Sequence, residues 1–250
     1  SLKTGIYLKN STETPISESE SFGNPTTASV SDSRYLYSVR KGTLTVYDIS
    51  TDTPKAAATL DHLGNCHDIA FINGGKGLVV TSRENGAYFI DISNPLNPIK
   101  SSEYATLEMA TGLATCGEYA FICSRYFGLE IIDASDIYNP KYYSQISNLE
   151  EMYDCCVDQN YLYVGVWGQK KVRIYDISDI RNPKYTGAIQ LDGNAGGIDV
   201  KDSVLCVATG YHSQNASTGL ASTGFGMGNG IELYDISDAE NPVWLSSCKI

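Results

Sequence analysis

Short runs in which apolar and polar positions alternate, each closed by an aspartate and a turn, recur along this chain. Ile174-Tyr175-Asp176-Ile177-Ser178, with Asn182-Pro183 just beyond it, is one such run. Val46-Tyr47-Asp48-Ile49-Ser50, Phe89-Ile90-Asp91-Ile92-Ser93, Ile131-Ile132-Asp133-Ala134-Ser135 and Leu233-Tyr234-Asp235-Ile236-Ser237 repeat the phrase. Period-two alternation that ends in turn residues predicts strands, each entering a tight turn.

The aspartates serve as register marks. They lie 43, 42, 43 and 59 residues apart, from Asp48 to Asp235. A period of roughly 40–50 residues with several short strands per unit is that of a β-propeller blade. In the unit ending near residue 148 the pattern predicts strand A at Leu113–Thr115, B at Tyr119–Ser124, C at Leu129–Asp133 and D at Lys141–Ile146. The next unit predicts Cys155–Val157, Tyr161–Val166, Val172–Asp176 and Lys184–Ile189. Along strand C, Leu44/Ala87/Leu129/Val172/Ile231 and Val46/Phe89/Ile131/Ile174/Leu233 form two apolar columns around the polar column Thr45/Tyr88/Glu130/Arg173/Glu232. The residue before each aspartate is Tyr or Ile, so both faces are expected to be covered by neighbouring sheets. Asparagine–proline pairs at 97–98, 139–140, 182–183 and 241–242 fix φ at the entry to strand D, while the aspartates accept turn amides. A group present once per blade has a structural task.

The expected fold is therefore all-β: a propeller of four-stranded antiparallel blades at about 26–61, 66–105, 109–148, 152–191 and 195–250. Residues Ile6 to Pro15 overlay Thr45 to Pro54, with Lys9 at the aspartate position, which predicts an N-terminal half blade over 1–22. Five full blades and a half blade suggest a ring of six when complete; the alternative is five blades with an extra hairpin.

Repeats of this length with an apolar-Ile/Tyr-Asp-Ile-Ser phrase and a following Asn-Pro resemble the LVIVD-repeat β-propellers. The resemblance spans nearly the whole chain and implies architecture. It also implies bacterial or archaeal surface or secreted proteins, and propellers used as interaction platforms. Lys9 and the shorter turn at Thr53-Pro54 depart from the pattern.

Charge then narrows function. Lys and Arg number 18 against 29 Asp and Glu, a net charge of −11. That balance disfavours nucleic acid and anionic lipid surfaces as partners, and no apolar run is long enough for membrane insertion. Seven cysteines, an odd number without C-x-x-C spacing, read as free thiols within apolar strands. Such thiols suit a cytoplasmic setting, whereas the family resemblance favours an extracytoplasmic one.

Candidate chemistry lies on the face carrying the B–C and D–A loops, wherever the repeat is broken. Strand B ends at Arg40, Arg83 and Arg125 in three blades and at Trp167 and Thr209 in the next two. Three guanidinium groups could form an anion pocket, or pair with Glu84, Glu151 or Asp154. His62, His67 and His212 also fall in loops on this face, without metal-binding spacing. The irregular segment from Tyr211 to Asn229 interrupts the fifth blade. The expectation is a non-enzymatic binding or scaffold module with no cofactor. It recognises a protein or carbohydrate partner, with an anionic group among its candidate ligands, through Arg40, Arg83, Arg125, Trp167, His67, Asp154, Tyr211 and His212. The rival is a hydrolase or polysaccharide-acting enzyme using His67, His212 and Asp154 at the mouth of the central channel.

Overall fold

The computed structural model describes residues 27–147, 150–210 and 230–249. The half blade expected over 1–22, and Tyr211, His212 and the rest of the 211–229 segment, lie outside these residues.

Among the described residues, five four-stranded antiparallel sheets follow one another in sequence order. The first holds β1 (Ala28–Ser31), β2 (Tyr35–Arg40), β3 (Thr43–Asp48) and β4 (Lys55–Leu60). The second holds β5 (Cys66–Ile72), β6 (Gly77–Ser82), β7 (Gly86–Asp91) and β8 (Ile99–Tyr104). The third comprises β9 (Leu113–Cys116), β10 (Tyr119–Cys123), β11 (Leu129–Asp133) and β12 (Lys141–Ile146). The fourth comprises β13 (Met152–Asp158), β14 (Tyr161–Val166), β15 (Lys171–Asp176) and β16 (Lys184–Gln190). The fifth comprises β17 (Asn194–Lys201), β18 (Val204–Gly210), β19 (Gly230–Asp235) and β20 (Val243–Lys249). β13 starts at Met152, ahead of the expected Cys155. A bulge between Met152 and Asp154 breaks the alternation there and hides the strand's first residues from a period-two reading.

The first strand of each sheet packs on that of the next: β1 on β5, β5 on β9, β9 on β13 and β13 on β17. The hydrophobic cores are shared between sheets. Leu44 and Val46 of the first pack with Tyr88 and Ile90 of the second. Ala87 and Phe89 meet Ala120, Ile122 and Ile132 of the third. Leu129 and Ile131 meet Leu162, Val164 and Tyr175 of the fourth, and Val172 and Ile174 meet Leu205, Val207 and Tyr234 of the fifth. The two apolar columns thus face the following blade, and the residue before the aspartate faces the preceding one. Neighbours in sequence can accordingly serve different cores: Cys155 belongs to the interface of blades three and four, Cys156 to that of four and five. All seven cysteines are free thiols.

The repeated phrase acts as turn chemistry. In every blade the aspartate Oδ1 accepts the N–H of the serine two places on, at 2.8–3.0 Å. The intervening residue (Ile49, Ile92, Ala134, Ile177 or Ile236) donates its N–H to a carbonyl of the A–B turn, at 2.8–3.0 Å. In four blades a second Asn or Asp (94, 136, 179, 238) accepts an N–H two residues later and closes the turn on the asparagine before the proline. Each C–D pair also carries a register shift just before the aspartate, at 46/47, 89/90, 131/132, 174/175 and 233/234.

The five aspartates are held below the usual carboxylate range by the serine two places on. The Ser50 hydroxyl contributes most at Asp48, and the serine N–H at the other four. A folded-state pKa below the unfolded one contributes stability that is present above the unfolded value and lost as pH falls through the folded one. The melting temperature followed by circular dichroism is therefore expected to stay level near neutrality and to fall below about pH 4. Asp133→Asn should be less stable than the parent at pH 7, with the gap closing in acid. A gap of constant size would show that the charge has no part in the turn.

Within the polar column of strand C, Glu130 is 1% exposed and Glu232 is 4% exposed. Glu130 accepts the Leu107 N–H at 2.8 Å, the Ser124 hydroxyl at 2.5 Å and the Tyr104 hydroxyl at 3.2 Å. Glu232 accepts the Asp192 N–H at 3.0 Å and the Tyr234 hydroxyl at 2.7 Å. In the fourth blade the sign is exchanged: Arg173 pairs Glu150, which also takes Lys171 at 2.8 Å. In all three cases the column residue grips the D–A connection that leads in from the preceding blade. That role escapes a sequence reading, because the partner is a loop about twenty residues away or more.

Candidate functional site

The B–C turns are tied by backbone bonds to the D–A connections, which brings non-repeating side chains together on one face. The Ala110 N–H donates to the Arg83 carbonyl at 2.9 Å, that of Met152 to Arg125 at 3.1 Å, and that of Trp167 to Glu151 at 2.9 Å. Arg83 opens the turn after β6 and Arg125 that after β10. Arg125 has φ 41°, in the left-handed region, as do Lys41 and Lys170 in the equivalent turns of blades one and four. Its recurrence marks this conformation as turn geometry.

Two of the three expected arginines converge. The Arg83 Nη2 lies 3.1 Å from Met109 Sδ, and the Arg125 Nη1 lies 4.0 Å from the same sulfur. Arg125 is committed to Glu151, its Nε donating to Oε1 at 2.8 Å, and its guanidinium lies 4.7 Å from the Tyr126 ring centre. Glu151 holds its pKa above the usual arginine range. The Tyr126 hydroxyl donates to the other Glu151 oxygen at 3.2 Å. Arg40 ends β2 opposite Thr43, in the first blade. Arg83 and Arg125 thus share one thioether, and Arg125 is already neutralised by Glu151.

Beside this pair runs a line of rings. His67 meets Tyr153 edge-on at 5.5 Å, and Tyr153 meets Trp167 at 5.1 Å with the planes tilted by 36°. Burial pushes the Tyr153 phenol pKa up, against the pull of the Arg83 and Arg125 charges. His67, Asp68, Tyr153 and Asp154 line a cavity of about 190 Å³ with Thr27 and Gly197. It draws on blades one, two, four and five and has room for about six water molecules.

Asp154 has a structural assignment in this wall. It is 5% exposed. Its Oδ1 accepts the Cys155 N–H and its Oδ2 the Ile198 N–H of the next blade, both at 2.9 Å. Asp68 is its counterpart, accepting Ile69 at 2.8 Å and Leu113 of the next blade at 2.9 Å. Both aspartates sit at bulges between strands A and B, which turn the carboxylate toward the neighbouring sheet. Among the described residues no group of three or more His, Cys, Asp or Glu could hold a metal ion.

Sequence reasoning missed Met109 and Tyr153, along with Leu107, Tyr126 and Phe127, which are 58%, 46% and 53% exposed on the same face. The available signal was two adjacent aromatic residues inside the turn after Arg125. A larger open groove of about 830 Å³ lies between blades two and three at the opposite ends of the strands. Its walls are mostly the repeated turns, including Asp91, Ser93, Ser135, Asp136 and Tyr138, whose polar groups already bond within and between those turns, Ser135 to Asp133.

No curated protein matches the sequence. Solved structures share the fold. A functionally unknown protein from Desulfotomaculum acetoxidans is 14% identical with a TM-score of 0.71, over 90% of this chain and 69% of its own. A protein from Lactobacillus plantarum is 16% identical with a TM-score of 0.67, over 90% and 71%. One from Bacteroides uniformis, provisionally described as a 6-phosphogluconolactonase, is 9% identical with a TM-score of 0.69, over 87% and 69%. At these identities the likeness speaks for the fold alone. The beta propeller domain family matches residues 29–218, more than half of the sequence. The chain belongs to that family.

Proposed function

We propose that this propeller is a non-enzymatic binding module that recognises a protein or glycan partner through the face carrying the B–C and D–A connections. One observation carries the reading. The repeated aspartates, Asp68, Asp154, Glu130 and Glu232 all accept bonds that hold turns or join blades, whereas Arg83, Arg125 and Trp167 break the repeat and lie with Tyr153 and His67 on the face of the B–C and D–A connections. Half-buried aromatic and arginine side chains beside a small cavity are common anchors of recognition. Arrays of peptides and of oligosaccharides, probed with labelled protein, test it. Trp167→Ala is expected to weaken any captured ligand at least tenfold with an unchanged circular dichroism spectrum, and unchanged binding would move the site elsewhere.

The hydrolytic reading is favoured by His67 and Asp154 sharing one cavity. Against it, both Asp154 oxygens already accept backbone N–H bonds, which leaves a poor general base. Hydrolysis that survived His67→Ala would remove its remaining candidate.

We further infer membership of the LVIVD-repeat class, an extracytoplasmic setting, and a sixth blade to which residues 1–22 contribute. The support for that blade is the overlay of 6–15 on 45–54, together with cores that join the five described blades in series. Tyr7 falls in the apolar column of Val46. Tyr7→Asp is therefore expected to lower the melting temperature by about 6 °C or more. An unchanged melting temperature would place the segment outside the propeller.

A further inference from the structure

We propose that the channel mouth receives a peptide segment in which a single carboxylate is flanked by apolar side chains. This rests on reading the mouth as the binding face, and names what that face takes. Among the described residues Arg83 has no acidic partner. Its Nη2 meets the Met109 sulfur, and its backbone N–H and carbonyl are used by Asn65 and Ala110. A thioether is a weak acceptor, so the guanidinium keeps donors for a carboxylate, which it can grip with two parallel bonds. Arg125 cannot serve in the same way, because Glu151 already holds it.

The surroundings of Arg83 set the rest of the ligand's chemistry. Leu107, Tyr126 and Phe127 stand exposed on the connections 105–112 and 124–128, the same two that carry Met109 and Arg125. An exposed aliphatic side chain among aromatic ones suits apolar side chains better than sugar hydroxyls. Tyr126 is fixed in place: its backbone N–H donates to Glu108 at 3.3 Å and its hydroxyl to Glu151 at 3.2 Å. Glu84 follows Arg83 directly in sequence. With Glu84, Glu108 and Glu151 beside two arginines, the rim repels a polyanion, while one carboxylate that reaches Arg83 gains a directional contact.

The test uses the intrinsic fluorescence of Trp167. The protein has two tryptophans, so Trp244→Phe leaves Trp167 as the sole reporter. This variant is titrated with terminally blocked pentapeptides that carry a central Glu between Leu, Phe, Tyr or Met, with the matched Gln peptides, with polyaspartate, and with neutral oligosaccharides. The expected result is that the best Glu peptides bind at least tenfold more tightly than their Gln twins and than polyaspartate. Arg83→Gln is expected to abolish that preference while the peptides still shift Trp167 emission. Equal binding of Glu and Gln peptides, or a preference that survives Arg83→Gln, overturns the inference and leaves the mouth as a binding face. An emission response to sugars alone does the same, in favour of a glycan. No response to any probe overturns both.

Discussion

Asp154→Ala is expected to remove about 3–5 kcal/mol of stability, visible as a lower urea midpoint with an unchanged slope. The side chain is 5% exposed, and its two oxygens accept N–H groups from its own strand and from β17 of the next blade. Truncation leaves two donors on fully buried residues, Cys155 and Ile198, without this acceptor, and a hydrogen bond to a charged group is worth about 1.5–3 kcal/mol. Asp154→Asn should recover little, because its amide offers one acceptor oxygen and turns an N–H₂ toward the other donor. Asp199 provides the comparison: it also accepts the N–H of the following residue, at 2.9 Å, but is exposed. Asp199→Ala is expected to change stability by no more than about 0.5 kcal/mol. Equal midpoints for the two alanine variants would remove the cross-blade bond from the account of stability.

The second large effect is expected at Gly112, on the other side of the same carboxylate. A methyl group there would strike the Asp154 carboxylate and also its Cα. The carboxylate could rotate, but the backbone cannot retreat, since the Gly112 N–H donates to the Tyr153 carbonyl at 2.8 Å. Gly112→Ala should therefore cost at least about 3 kcal/mol and shift the seam between blades three and four. Gly187 is the control, with open space around it and no left-handed φ. Gly187→Ala is expected to be neutral or to stabilise by about 0.4–1 kcal/mol, through the lost freedom of the unfolded chain. A similar loss at both positions would mean that the close approach at Gly112 is not what restricts it.

Blade order, the two apolar columns and the Asp-x-Ser turns were legible in the sequence. They depend on contacts within a few residues, repeated five times, so each copy checks the others. Strands β11, β12 and β14 match their expected bounds residue for residue. What was not legible depends on contacts between blades. The bulge at Asp154 interrupts the period-two pattern that would reveal it, and the aspartate looks like a free acid until Ile198 is placed against it. In the same way Glu130 and Arg173 read only as members of a polar column, whereas their partners are loops leading in from the preceding repeat. At the mouth, Arg83, Arg125 and Trp167 could be found because they break a repeat. Met109 and Tyr153 could not, because nothing local distinguishes a methionine in a loop or a tyrosine in a strand.

The cores shared between adjacent blades bear on how such a chain can change its length over evolutionary time. No sheet keeps a private interior: the apolar columns of one and the residue before the next one's aspartate fill a single seam. A duplication cut at the same point in two successive repeats adds one sheet and one seam of a kind already present. A cut out of phase leaves columns facing surfaces built for something else. Growth by whole units is therefore cheap for this architecture, while point changes such as those at Asp68 and Asp154 fall on the joints and must be matched across them.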